Sequence, residues 1–189
     1  MYQNQSFKLV GVSQLMMHNV RLANPLDPIA KAMKKVSSKR KKTEDDFAEL
    51  SRIEFEGGLY LDADGNYIIP ARAIEAAIIK GATKTKQGTL AKSAMLIYDD
   101  AFLKYAGPKS VKKRFADKSC VDMRAVRVGQ ATVMRTRPVF SDWSAEVSVH
   151  YDPAQASLED VGQWLVTAGR IVGLLEYRPR FGRFEVEPC

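Results

Sequence analysis

The stretch GLLEYRPRFGRFEVE, Gly173 to Glu187, sets three arginines (Arg178, Arg180, Arg183) and three aromatics (Tyr177, Phe181, Phe184) around two glycines. Guanidinium groups carry forked donors that match phosphate oxygens. Glycine lets the main chain approach such a group with no side chain in the way. Aromatic faces accept stacked bases, at about 1–3 kcal/mol per base. Arg178, Arg180 and Arg183 are therefore candidate phosphate contacts, with Phe181 and Tyr177 beside them as candidate stacking faces. A plainer reading stays open, in which Phe181 and Phe184 are core and the arginines are solvated.

Three further basic sets share this chemistry. VDMRAVRVGQATVMRTRPVF reads as two strands around Gly129-Gln130. Arg135 and Arg137 lie two apart and share a strand face, whereas Arg124 and Arg127 lie three apart and face opposite sides. On an open face these arginines would track a nucleic-acid backbone electrostatically; the alternative is a polar face turned to water. Between Lys31 and Lys42 seven of twelve residues are basic, and Lys39, Arg40 and Lys41 are the candidate contacts in that run. Such a run is usually solvated and adds non-specific affinity. Lys84 and Lys86 follow a predicted helix and complete the set.

Other chemistry has little to work with. His18 and His150 are the only histidines, and no Cys/His cluster has zinc spacing. Neither a phosphate-cradling Gly-x-x-x-x-Gly-Lys-Ser/Thr loop nor a Gly-x-Ser-x-Gly elbow occurs. Asp62, Asp64 and Asn66 alternate as in a calcium loop, but Gly65 falls too early and the twelfth position lacks a glutamate. LYLDADGNYIIP is instead a hairpin around Asp-Gly. No metal and no cofactor is expected.

The elements that must position these residues follow from periodicity. FKLVGVSQLMM reads as a first strand with Phe7, Leu9 and Gly11 on one face. The segment from Leu22 to Phe55 reads as two short helices joined by a mobile basic loop, Lys31 to Lys42. Thr43 and Asp46 form a capping box for the second, and Phe47, Leu50 and Ile53 repeat at helical spacing. PARAIEAAIIKGA is a helix opening at Pro70 and ending at Gly81, with Ile74, Ala77, Ile78 and Gly81 on its packing face. TKTKQGTLAKS reads as a loop, AMLIYDDAFLKY as a strand and GPKSVKKRFADKSC as a basic connection. DWSAEVSVHYD is a strand with Trp143, Ala145, Val147 and Val149 inward. SLEDVGQWLVTAGRIVG is the clearest helix, capped by Ser157 and Asp160, with Leu158, Val161, Trp164, Leu165, Ala168 and Val172 as its apolar stripe. RFEVE closes as a strand.

With the hairpins and basic loops removed, the order is strand, helix, strand, strand, helix, strand. This predicts an α+β fold: a ferredoxin-like, RRM-like βαββαβ antiparallel sheet with its helices on one face. One domain over 1–189 is expected, with a basic helical insertion at 20–58 and an arginine-bearing hairpin projection at 105–140. The fold alone does not fix function.

The 189 residues are 46% hydrophobic, enough for a core, and carry a net charge of +7 with a pI of about 9.4. That balance favours polyanionic partners. Of two cysteines, Cys120 and Cys189, one is terminal, so a reducing cytoplasm is expected rather than a structural disulfide. The first residues lack a signal-peptide pattern, and no apolar run of about 18 residues exists to span a membrane.

Two segments together resemble the RAMP superfamily, the RNA-binding proteins that form backbone and processing subunits of CRISPR ribonucleoproteins. YIIPARAIEAAI, Tyr67 to Ile78, is similar to that family's strand-Ile-Pro-small-small-helix signature. GLLEYRPRFGRFEV, Gly173 to Val186, is similar to its C-terminal glycine-rich loop, although here eight residues including Pro179 separate Gly173 from Gly182. LVGVSQLMMHN resembles the family's first strand and loop, and the overall pattern also looks like that of small phage-encoded proteins. The resemblance implies a non-catalytic protein that grips the backbone of single-stranded DNA or RNA with low sequence preference and self-associates along the strand. The arginine hairpin would be a thumb-like projection lying across that strand. Some members cleave RNA with a loop histidine or aspartate near the first strand, which makes His18 with Asp27 the site of an alternative, metal-independent RNA endonuclease. A protein-binding mimic or inhibitor of a CRISPR complex is a third reading.

Overall fold

The computed structural model describes residues 1–188; Cys189 lies outside them. In chain order the strands are β1 Gln3–Gly11, β2 Leu15–Met16, β3 Ile68–Ile69, β4 Met95–Leu96, β5 Ala101–Lys104, β6 Val121–Val128, β7 Ala131–Phe140, β8 Ser144–Tyr151 and β9 Phe184–Pro188. The helices are α1 Pro28–Ser37, α2 Glu44–Gly58, α3 Ala71–Thr83, α4 Gly88–Ala94, α5 Val111–Ala116 and α6 Leu158–Thr167. The protein is α+β, with antiparallel sheets. Its chain divides into two compact units: Met1–Leu15, Leu61–Ala106 and Phe140–Cys189 form the first, Met16–Tyr60 and Gly107–Val139 the second. The helical segment and the arginine hairpin, expected as separate outgrowths of one domain, thus share a unit.

The first unit holds a six-stranded sheet in the order β3-β5-β8-β1-β9, with β4 also paired to β8. Phe7 lies opposite Val147 and Leu9 opposite Ala145, so the inward positions of β1 and β8 meet in register. Phe7, Leu9, Ala101, Leu103, Ala145, Val147, Val149 and Phe184 are all buried, as strict alternation on a one-sided sheet requires. Trp143 packs near Phe184 at 6.4 Å between ring centroids, and its indole Nε1 donates to the Ser13 carbonyl at 2.8 Å.

Two helices of this unit form as read. Ser157 and Asp160 make the reciprocal capping box of α6, and Val161, Trp164 and Leu165 are buried while Leu158 is exposed. Helix α3 opens after Pro70, and the Asp100 carboxylate accepts from its Ala71 N–H at 2.8 Å. Gly81 does not end α3, which runs on to Thr83. A Cβ there would lie 2.5 Å from the Trp164 carbonyl and 2.8 Å from the Ala168 nitrogen, so this glycine lets α3 close on α6. Two more expectations are corrected. The segment TKTKQGTLAKS, read as a loop, holds all but the last residue of a helix, α4. The strand expected over Ala94 to Tyr105 is two short strands, interrupted where Asp99 and Asp100 turn the chain.

The second unit packs α1 and α5 on α2. Thr43 and Asp46 form the predicted capping box. Ile53 is buried, but Phe47 is exposed. Asp27 caps α1, with Pro28 in its first turn, so Lys31, Lys34 and Lys35 are helical rather than in a loop. Phe55 of α2 meets Phe115 of α5 at 5.2 Å. β7 pairs with β6 across Gly129, whose φ of +62° suits the tight turn.

No helix among the described residues is long and apolar enough to cross a membrane.

Candidate functional site

The C-terminal loop is built by its two glycines. Gly173 and Gly182 have φ of +77° and +71°, and a Cβ on Gly182 would lie 2.1 Å from the Leu174 carbonyl oxygen. Only glycine permits that approach. Leu174 N donates to the Gly182 carbonyl at 2.9 Å and Gly182 N to the Gln14 carbonyl at 2.8 Å, which closes the loop and ties it to the turn after β1. Arg183 N donates to the Ser13 hydroxyl at 3.0 Å, and Arg183 Nε to the Pro179 carbonyl at 2.8 Å.

These bonds leave a concavity of about 630 Å³ lined by Val12, Ser13, Pro179, Arg180 and Arg183. Arg178, Arg180 and Arg183 are exposed, and among the described residues none of them is in an ion pair with a carboxylate. Their charge is therefore available to an external anion. Tyr177 is 41% exposed. Phe181 is half-buried with its ring edge-on to Tyr177 at 6.1 Å. Phe184 is core, in line with the plainer reading of that residue alone. Val12 and Ser13 lie within LVGVSQLMMHN but are not among the candidate contacts; the pairing of the first and last strands brings them to the arginines.

The arginine hairpin is different. Arg124 stands opposite Arg135, and Asp122 opposite Arg137. Arg124 is salt-bridged to Asp122. Arg135 donates from Nη1 to Glu54 at 2.8 Å, and the other oxygen of Glu54 accepts from the Thr136 N–H at 2.8 Å. Arg137 is only 6% exposed. Strand alternation put Arg135 and Arg137 on a free face; α2 and the hairpin's own acid instead engage Arg124 and Arg135, and packing covers Arg137. Arg127, beside the turn, is exposed.

The remaining candidates are scattered. Lys39 is bound to Asp46 at 2.5 Å; that contact raises the Lys39 ammonium above its usual value and, with the Thr43 N–H, lowers the Asp46 carboxyl. Arg40 and Lys41 are exposed in the link between α1 and α2, and Lys84 and Lys86 are exposed in the turn after α3. His18 is half-buried, its main-chain carbonyl accepting from the Tyr60 hydroxyl at 3.3 Å. Asp27 accepts from Ile29 N at 2.8 Å and from Arg21 Nε at 3.0 Å. Desolvation would raise its carboxyl, but Arg21 and the helix N–H groups outweigh this and hold it below the usual carboxylate range. Both oxygens thus serve a cap and an ion pair rather than a histidine-directed site.

The outward sheet face of the first unit is not a cationic platform. Lys8 pairs with Glu187 at 2.8 Å and Lys104 with Glu146 at 2.6 Å, and Glu185 adds a further negative charge. His150 lies on this face, edge-on to Tyr98 at 4.8 Å. In the Asp62 turn the carboxylate accepts from Asp64 N, Asn66 N and Asn66 Nδ2. Its oxygens are engaged by the hairpin itself, and no group of three or more acidic, His or Cys side chains among the described residues is placed to hold a metal.

No protein-family model matches the chain, and no curated protein matches it in sequence. Function must be read from the site itself.

Proposed function

We propose that this protein binds single-stranded nucleic acid through the sugar-phosphate backbone, without catalysis and with low sequence preference, and that its C-terminal loop is the grip. The observation that carries this reading is a loop closed by two glycines that bears three exposed arginines, unpaired with any carboxylate among the described residues, two of which, Arg180 and Arg183, line a concavity. Guanidinium donors on a rigid loop suit phosphate oxygens, and Tyr177 offers an adjacent ring for a base. Backbone grips read charge more than sugar, so DNA and RNA are both within reach. The mixed charge of the open sheet favours the loop over an RRM-type platform as the binding surface.

We read the first unit as ferredoxin-like. The reading is supported by its order β1, α3, β5, β8, α6, β9 and by the antiparallel neighbours β9-β1-β8-β5. Each helix there joins two strands with a third lying between them: β8 between β1 and β5, and β1 between β8 and β9. The likeness of Tyr67–Ile78 and Gly173–Val186 to RAMP segments points the same way and carries with it the expectation of copies aligned along a strand.

Fluorescence anisotropy with labelled single-stranded DNA, single-stranded RNA and duplex DNA, each across a salt series, tests the function. The expected result is single-strand binding that weakens as salt rises. Replacing Arg178, Arg180 and Arg183 by alanine should weaken it at least about tenfold and flatten the slope of log K against log salt by about 0.7 for each phosphate no longer neutralised. Absence of binding to every oligonucleotide at low salt would refute the reading.

A further inference from the structure

The chain's net charge of +7 is not shared between its units. The second unit holds 18 Lys and Arg against 9 Asp and Glu, a balance of +9; the first holds 11 against 13, a balance of −2. The loop proposed as the grip lies in the unit without the excess.

Five of the nine acids of the second unit are held in ion pairs within it. Asp27 is paired with Arg21, Asp46 with Lys39, Glu54 with Arg135, Glu56 with Arg52 and Asp122 with Arg124. Lys31, Lys34 and Lys35 on α1, and Lys112, Lys113 and Lys118 on and just after α5, are exposed and form no ion pair among the described residues. Both helices are anchored on α2, α5 through Phe55 and Phe115. These are fixed ammonium groups on a folded scaffold rather than charges on a loose tail.

We propose that the second unit carries phosphodiester contacts of its own, Lys31, Lys34 and Lys35 on α1 and Lys112, Lys113 and Lys118 on and just after α5. This rests on the nucleic-acid reading for its ligand but on different residues for its site. Ammonium groups are point charges that attract a phosphate chain without demanding one geometry, so these lysines supply sequence-independent affinity and leave orientation to the loop arginines. A lipid surface fits less well. Phe47, the exposed ring of α2 at 59%, is flanked in sequence by Glu44, Asp45 and Glu49, which an anionic bilayer would repel.

The test uses the full chain and two variants: the six lysines changed to glutamine, and the three loop arginines changed to alanine. Each is titrated with a labelled thirty-residue oligo-dT, the matching oligo-U, and vesicles of mixed phosphatidylserine and phosphatidylcholine, across salt. Circular dichroism checks that the lysine variant, altered only at exposed positions, keeps its helices. The expected result is oligonucleotide binding at least about tenfold weaker in the lysine variant near 0.1 M salt, with a salt slope shallower by about 0.7 for each phosphate released from a lysine. An unchanged affinity and slope in that variant would overturn the inference; if the arginine variant then loses binding, the loop reading survives alone. Loss in the lysine variant with none in the arginine variant would keep the inference and move the grip off the loop. If wild-type protein binds no oligonucleotide, both readings fail, and vesicle binding that vanishes in the lysine variant would assign these lysines to lipid.

Discussion

Gly182 and Gly65 both hold a positive φ, +71° and +83°, but in opposite surroundings. A Cβ on Gly65 meets nothing within 4 Å, whereas one on Gly182 meets main-chain atoms of Leu174 at 2.1 and 2.7 Å. Gly65→Ala therefore adds only backbone strain, about 1–2 kcal/mol. Gly182→Ala adds that strain and forces apart the loop that positions Arg180 and Arg183. Urea unfolding should register a larger loss for Gly182→Ala, and oligonucleotide anisotropy should register weakened binding only for that variant. Equal binding by the two would detach the loop's shape from its use. Glu54 is the corresponding residue of the second unit, 5% exposed and bonded to Arg135 and to the N–H of buried Thr136. Glu54→Ala leaves that N–H without its acceptor, at about 1–3 kcal/mol. Glu54→Gln keeps an acceptor and should cost less. Thermal unfolding of both variants by circular dichroism measures the difference.

At the scale of elements, two helices begin with a reciprocal cap whose carboxylate is held below its ordinary value. The Asp160 carboxyl is lowered first by the Ser157 hydroxyl and then by the Ser157 N–H, against a smaller opposing effect of burial. A carboxyl with a lower pKa folded than unfolded adds stability above its unfolded value, near 3.8, and that stability is lost as pH falls through the folded value. Ser157→Ala should cost about 1 kcal/mol near neutral pH. Asp160→Asn should narrow the difference in stability between about pH 6 and pH 3. Tryptophan fluorescence during urea unfolding reports both, because Trp164 lies in α6. Such caps are local, and so were legible: Thr43-Asp46, Ser157-Asp160, the Gly129 turn and the alternation of β8 all sit within a few residues of the signal that marks them. Where the sequence misled, the deciding interaction was distant. Asp100 reads as mid-strand but caps α3 from 29 residues away. Gly81 reads as a packing position, which it is, but also as the helix end, which it is not, because α3 runs on past its contact with α6. Arg135 and Arg137 read as a free face because neither Glu54 nor the packing over Arg137 has a local signature. The loop arginines were legible as residue types, while the concavity beside them depends on Val12 and Ser13, brought there by strand pairing alone.

The division of charge bears on the stability of the molecule as well as on its partner. A unit at +9 repels itself, and mobile ions relieve that repulsion once the Debye length falls to about 8–10 Å, near 0.1–0.15 M salt. The unit at −2 has little to gain. Both tryptophans, Trp143 and Trp164, are buried in the first unit, so their fluorescence follows that unit alone. Amide hydrogen exchange in α1, α2 and α5 follows the other. Raising salt from about 0.01 to 0.15 M should therefore slow exchange in those three helices while the tryptophan unfolding midpoint moves little. Oligo-dT at low salt should protect the same helices if phosphate replaces the mobile counter-ions there. An equal response of both signals to salt would mean that the excess charge is already compensated within the fold, and a decrease in protection would mean that the ion pairs of the second unit contribute more to its stability than the repulsion among its lysines removes.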